Sequence, residues 1–310
     1  TYKLITPGAS YVMRAKPGPV ARLLPSAHAI EREFAVMRGL QGTDVPVPRM
    51  HVLCEDESVI GRAFYVMEYV QGRVLWDPSL PDMAPTERGA IYDEMNRVIA
   101  ALHRVKYAGQ GLAAYGKPGN YFDRQIGRWS KQYMASITQP IEEMDRLMEW
   151  LPANLPASAR DESKVSIVHG DYRLDNLMFH PTEPRVIAVL DWELSTLGHP
   201  LADFSYHCMA WNIPAGMFRG IGGLDLPSLG IPSESDYLRQ YCKRTGITTP
   251  EALRADWNFY MAYNMFRIAA ILQGIAQRVQ AGTASSAQAR ASGEGARPMA
   301  QLAWAFAQRG

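Results

Sequence analysis

Through residue 75 the chain alternates short β-prone runs with one helical stretch. Tyr2-Ile5 and Tyr11-Ala15 predict two strands joined by the turn Thr6-Pro7-Gly8-Ala9-Ser10. A loop containing Pro and Gly, Pro17 to Pro25, follows. From Ala27 to Leu40 the residues Ile30, Phe34, Met37 and Leu40 recur every three or four positions, the spacing of an amphipathic helix, and Pro46 and Pro48 end it. Met50-Cys54 and Ala63-Tyr69 read as strands around the turn-rich Glu55-Asp56-Glu57-Ser58. Beyond Gln71-Gly72 the period lengthens to that of helices. One starts with Pro85 at its first position and runs to Val105, with Ile91, Met95, Val98, Ile99 and Leu102 on one face. Others are expected at Tyr121–Tyr133 and Ile141–Trp150.

Val165-Val168 and Val186-Leu190 are apolar, β-branched runs and predict two further strands. Asp236-Arg244 reads as helix. Thr249 caps a long helix reaching about Val279, Ala281 to Gly295 is rich in Ala, Gly and Ser and predicts a mobile loop, and Met299-Gln308 closes the chain as helix. The pattern is α+β. It divides into a lobe of residues 1–70, with a small sheet and one helix, and a mainly helical lobe of residues 71–310.

Composition narrows the class. At 310 residues, 47% hydrophobic and 20% charged, the chain can bury two cores. Its 32 basic and 31 acidic residues leave a net charge of +1, which gives no general reason to expect nucleic acid or anionic membrane as a partner. Cys54, Cys208 and Cys242 are scattered and form no Cys-x-x-Cys pair, so they fit a reducing cytosol rather than a disulfide scaffold or zinc site. The apolar stretch Trp257 to Ala276 carries Asn258, Asn264, Arg267 and Gln273, a polar load that suits a buried helix better than a membrane span. Oligomeric state stays open.

The chemistry concentrates in Val168-His169-Gly170-Asp171-Tyr172-Arg173-Leu174-Asp175-Asn176 and in Asp191-Trp192-Glu193 at the end of a predicted strand. One carboxylate there can receive a proton from an attacking hydroxyl, while an amide oxygen and a second carboxylate can hold Mg²⁺ on ATP. His-x-Asp-x-x-x-x-Asn followed by a strand ending in Asp is how a kinase catalytic loop and metal-binding turn read in sequence.

With Val45-Pro46-Val47-Pro48, Val66-Met67-Glu68-Tyr69 and Leu197-Gly198-His199-Pro200-Leu201-Ala202-Asp203, these residues resemble the aminoglycoside phosphotransferase family, and within it a branch found beside, or fused to, acyl-CoA dehydrogenases. The resemblance covers nearly the whole chain. It implies a bilobal protein-kinase-like fold and ATP-dependent transfer to a small-molecule hydroxyl, possible acceptors being hydroxyacyl or acyl-CoA-like molecules. Asp171 would be the catalytic base, and Asn176 and Asp191 the Mg²⁺ ligands. His169 would brace the loop and Asp203 support it from behind. Arg14 with Glu33 would order the ATP phosphates. Lys16, on the same strand face, competes with Arg14, and Glu31 is the alternative acid. Glu68, Tyr69 and Val70 match the adenine-binding hinge, whose contacts are made by main-chain groups. Arg124, Arg128 and Arg173 are candidates for binding an anionic part of the acceptor. One departure stands out: no Gly-rich phosphate loop precedes Tyr2. That leaves a rival reading, a non-catalytic kinase-like module binding nucleotide or a partner. A metal-dependent phosphohydrolase would need more converging histidines than His180, His199 and His207 supply.

Overall fold

The computed structural model describes residues 1–16, 29–284 and 286–309. The expected loop Pro17–Pro25 and the expected helix start at Ala27 lie outside the described residues. Strands β1 (Tyr2–Ile5) and β2 (Ser10–Ala15) form a hairpin closed by Thr6, whose hydroxyl donates to the Ala9 carbonyl at 2.8 Å. Helix α1 (Ile30–Leu40) follows, then β3 (Met50–Cys54) and β4 (Phe64–Glu68). The four strands make one antiparallel sheet in the order β1-β2-β4-β3. Ile30, Val36, Met37 and Leu40 of α1 are fully buried, as the helical spacing requires.

A short strand β5 (Arg73–Val74) precedes α2 (Pro85–Arg104), which starts on its Pro as expected. Helices α3 (Tyr121–Ser136) and α4 (Glu142–Ala153) come next. Then β6 (Ser166–Val168), β7 (Leu177–Phe179), β8 (Val186–Val189) and β9 (Thr196–Gly198) build two small antiparallel sheets, ordered β5-β7-β8 and β6-β9. The remaining elements are α5 (Pro200–Cys208), α6 (Leu226–Leu229), α7 (Glu234–Thr245), α8 (Pro250–Ala255), α9 (Trp257–Gln280), α10 (Ala287–Glu294) and α11 (Ala296–Ala307).

Two expectations fail here. The long helix begun by Thr249 is interrupted at Asp256, which has φ −102° and ψ 4° and turns its carboxylate to the Ser158 hydroxyl. An Asp favours such a helix end because its short side chain competes for local hydrogen bonds. The Ala281–Gly295 segment is not all loop. Ser286 caps α10 by accepting from the Ala289 N–H at 3.0 Å, and α10 packs on α9. Small residues allow this, since a Cβ on Gly293 would sit 2.9 Å from the Ala276 Cα.

Two compact units result. One comprises Thr1–Lys117, Ser166–Gly198 and Asp225–Thr245, the other Pro118–Val165, His199–Leu224 and Gly246–Gly310. In the first, α2 buries Ile91, Met95, Val98, Ile99 and Leu102 and is tied to α7 by Asn96 Nδ2 on the Tyr237 carbonyl at 3.0 Å. In the second, α9 is the central helix, buried on most sides from Trp257 to Gly274. Its polar residues are bonded across helices: Asn264 Nδ2 reaches Ser205 Oγ at 2.7 Å, and Gln273 Nε2 reaches the Ser136 carbonyl at 2.8 Å. Buried amide N–H donors paired in this way reconcile an apolar stretch with polar positions inside it, although the Asn264 Oδ1 is buried without a hydrogen-bond partner among the described residues. Among the described residues no helix is long and apolar enough to cross a membrane.

Candidate active site

The candidate site is assembled within the first unit, from the β2-β4 pair, α1, the loop after β6 and the turn after β8. The loop is braced by His169, which is fully buried. Its Nε2 lies 2.8 Å from the Leu190 carbonyl, and its Nδ1 lies 3.2 Å from the Asp171 N–H. A carbonyl only accepts and an amide N–H only donates, so a neutral ring carrying its proton on Nε2 satisfies both contacts. That role uses both ring nitrogens and leaves none for proton transfer.

Between these two residues Gly170 holds φ at +82°, where a Cβ would meet the Leu194 carbonyl at 2.7 Å. Only glycine fits there without strain. Asn176 closes the loop. Its Nδ2 donates to the Asp171 carbonyl at 2.7 Å and to Asp171 Oδ2 at 3.1 Å, and its carbonyl accepts from the Leu190 N–H at 2.9 Å. The loop is therefore stitched by two bonds to Leu190, the residue immediately before Asp191. Asp191 itself takes a left-handed conformation, φ 64° and ψ 59°, and opens a short 3-10 turn, Trp192–Leu194. Trp192 is buried and its indole N–H donates to the Val189 carbonyl at 2.9 Å, which anchors the turn.

A second group of charges centres on Arg14. Its Nε is 3.1 Å from Glu33 Oε2, its Nη1 3.5 Å from Asp191 Oδ1 and its Nη2 3.5 Å from Glu193 Oε2. Glu33 is 1% exposed and its Oε2 also accepts from the Tyr65 hydroxyl at 3.1 Å. Burial pushes the Glu33 carboxyl up to about 7, against the pull of Arg14 and Tyr65. Burial opposes the Arg14 charge too, but the surrounding anions, Glu33 foremost, hold its pKa above the ordinary value. Burial, then the Glu33 charge, also raises the Tyr65 phenol, which keeps it a hydrogen-bond donor. The alternatives form their own pair: Lys16 Nζ lies 3.3 Å from Glu31 Oε2, with both side chains half-buried.

The other expected residues fall as follows. Arg173 Nη2 bridges Asp171 Oδ2 at 3.1 Å and the buried Asp175 Oδ2 at 3.4 Å. Arg124 and Arg128 lie on α3 in the second unit, where Arg124 donates to the Gly119 carbonyl and Arg128 lies 5.3 Å from the Trp129 ring centre. Glu142 pairs with Arg146. Asp203 is buried in the first turn of α5, also in the second unit. At the end of β4, the main-chain N–H of Glu68 donates to the Arg49 carbonyl at 2.8 Å, and the Tyr69 ring lies under Lys3 Nζ at 3.8 Å. Val70 is half-buried. Two members of the Arg14 cluster, Glu193 and Tyr65, were given no role by the sequence. Position alone could have drawn attention to Glu193, two residues beyond Asp191.

The phosphotransferase enzyme family model matches residues 1–254. The chain belongs to that family. A mouse relative, acyl-CoA dehydrogenase family member 10, is 48% identical over 311 residues, covering 100% of this chain but 28% of the relative. This family member therefore spans under a third of that protein's length. A crystal structure of a candidate aminoglycoside phosphotransferase from Ralstonia eutropha is 64% identical, with a TM-score of 0.90 over 99% of this chain and 88% of that one. The ADP-bound aminoglycoside phosphotransferase APH(2'')-Ib is 15% identical, with a TM-score of 0.56 over 96% of this chain and 87% of that one. Likeness at that distance speaks for the fold, which is the α+β protein-kinase-like fold: a small antiparallel sheet with one helix and a mainly helical remainder.

Proposed function

We propose that this phosphotransferase-family chain moves the γ-phosphoryl group of ATP to a hydroxyl of a small molecule. The reading is carried by one observation: Asp171, Asn176 and Asp191 are tied into a single framework by the Asn176–Asp171 bonds and the two contacts to Leu190. Asp171 orients the acceptor O–H and takes its proton as the oxygen forms its bond to the γ-phosphorus. The bond from that phosphorus to the β,γ-bridging oxygen breaks, and ADP leaves. Arg14, held by Glu33, faces the α- and β-phosphates, and the main chain of Glu68, Tyr69 and Val70 receives adenine.

The donor set fits Mg²⁺. Asn176 spends its Nδ2 on Asp171, which leaves the amide oxygen for a hard cation, and Asp191 adds a carboxylate. Among the described residues no trio of His, Cys, Asp or Glu is arranged to hold a metal. Mg²⁺ commonly takes one or two protein ligands and completes its shell with phosphate and water. Bound there, it would neutralise charge on the phosphates.

For the acceptor we propose a hydroxyl on an acyl or acyl-CoA-like molecule, supported by the identity shared with a segment of an acyl-CoA dehydrogenase family member. Arg173, in the first unit, is the cation we assign to its anionic part, and Asp203 is assigned a scaffold role. A screen of hydroxylated metabolites, hydroxyacyl-CoAs included, for ADP release tests the activity. Asp171→Ala should abolish the release found with any active acceptor, by about 10²-fold or more, while folding and nucleotide affinity stay near wild type. ADP release unchanged by Asp171→Ala would reject the assignment.

A further inference from the structure

Tyr65 is a buried phenol that the mechanism above does not use. It is 1% exposed, stands opposite Arg14 in the β2-β4 register and donates to the same Glu33 oxygen that receives Arg14 Nε. The other Glu33 oxygen, Oε1, is buried without a hydrogen-bond partner. The carboxylate is therefore supported at one oxygen only, by one cation and one hydroxyl. The remaining charged groups near it, Asp191 and Glu193 from the turn after β8, repel it.

We propose that Tyr65 is a positioning residue for nucleotide binding, its hydroxyl holding Glu33 as the anion that keeps Arg14 aimed at the phosphates. The proposal rests on the phosphotransferase reading, because it presumes that Arg14 meets phosphate. When Glu33 takes a proton, only Asp191 and Glu193 still attract the guanidinium, and they draw it off its Glu33 anchor. A hydrogen bond to the charged form of an acid favours that form, so loss of the phenol makes protonation easier. Burial already places the Glu33 carboxyl near neutrality, where a modest push changes its state.

The test is calorimetric titration of the protein with the magnesium complex of a non-hydrolysable ATP analogue, from pH 6 to 9. Wild-type affinity should fall as pH drops through about 7. Tyr65→Phe should begin that fall about one pH unit higher, binding roughly five- to ten-fold more weakly near neutral pH and within about two-fold of wild type at pH 9. Glu33→Gln should lose the dependence, and adding Tyr65→Phe to it should change nothing further. Coincident wild-type and Tyr65→Phe profiles, a loss of equal size at every pH, or a full Tyr65→Phe loss in the Glu33→Gln background would each overturn the role. If Tyr65→Phe does not fold, 3-fluorotyrosine at this position, a stronger donor, should move the midpoint to lower pH, and an unmoved midpoint overturns the role. Wild-type protein that binds no analogue at any pH overturns the phosphotransferase reading together with the proposal. Binding in which the midpoint stays put overturns the Tyr65 role alone.

Discussion

Arg14 and Tyr65 stand directly opposite each other on β2 and β4, and both end on one oxygen of Glu33. Strand register sets the two side by side, and the docking of α1 brings Glu33 to both. The residues are far apart in the chain, and Tyr65 lies in no motif.

Glu33 should tie stability to pH. Its carboxyl is raised from 4.5 to about 7, chiefly by burial, so the folded state holds the proton more tightly than the unfolded chain. The stabilisation is complete below the unfolded pKa and is lost as pH rises through about 7. Each tenfold difference in proton affinity between the folded and unfolded states is worth about 1.4 kcal/mol. Denaturant titrations should therefore show wild type losing up to about 3 kcal/mol across that window, a loss missing from Glu33→Gln. Parallel curves for the two proteins would show that Glu33 titrates normally.

Asp191→Asn preserves a residue tolerant of the left-handed backbone while removing the charge. Nucleotide affinity in the presence of Mg²⁺ should weaken at least about ten-fold, or 1.4 kcal/mol, and affinity in its absence should change far less. Calorimetry with and without the ion decides this, and an unchanged difference between the two conditions would remove Asp191 from the metal site.

Gly170→Ala combines a forbidden φ with a clash against the Leu194 carbonyl. The expected cost is about 2–4 kcal/mol, read as a lower Tm. ADP release should drop further than the stability loss explains, because Asp171 is the next residue.

Arg88 is buried and donates to the carbonyls of Leu80, Pro81 and Leu229 at 2.8, 3.1 and 3.2 Å. Arg88→Met keeps the stem but strands three acceptors, which should destabilise the protein by about 3 kcal/mol. Thermal melting monitored by circular dichroism measures the loss. A Tm within a degree or two of wild type would mean that water satisfies those carbonyls.

What the sequence disclosed follows the range of the interactions involved. α2 could be read almost to the residue because five apolar side chains repeat within it. Asp171 and Asn176 stood out because their mutual bonds span only five positions. Tyr65 carried no local signal, since its partners are set by strand register and by where α1 docks, whereas Glu193 was marked only by its place two residues beyond Asp191. α10 was missed for a different reason: Ala, Gly and Ser read as loop until a neighbouring helix supplies the surface on which small side chains pack.

The ring of acids around Arg14 has an electrical consequence. One guanidinium facing Glu33, Asp191 and Glu193 leaves the spot two charges in deficit when all three acids are ionised (one positive, three negative). A bare polyphosphate approaching it would be repelled. On the proposed reading, a divalent counterion carried by the polyphosphate would quench that excess, so the chelated ligand would be favoured there over the bare one.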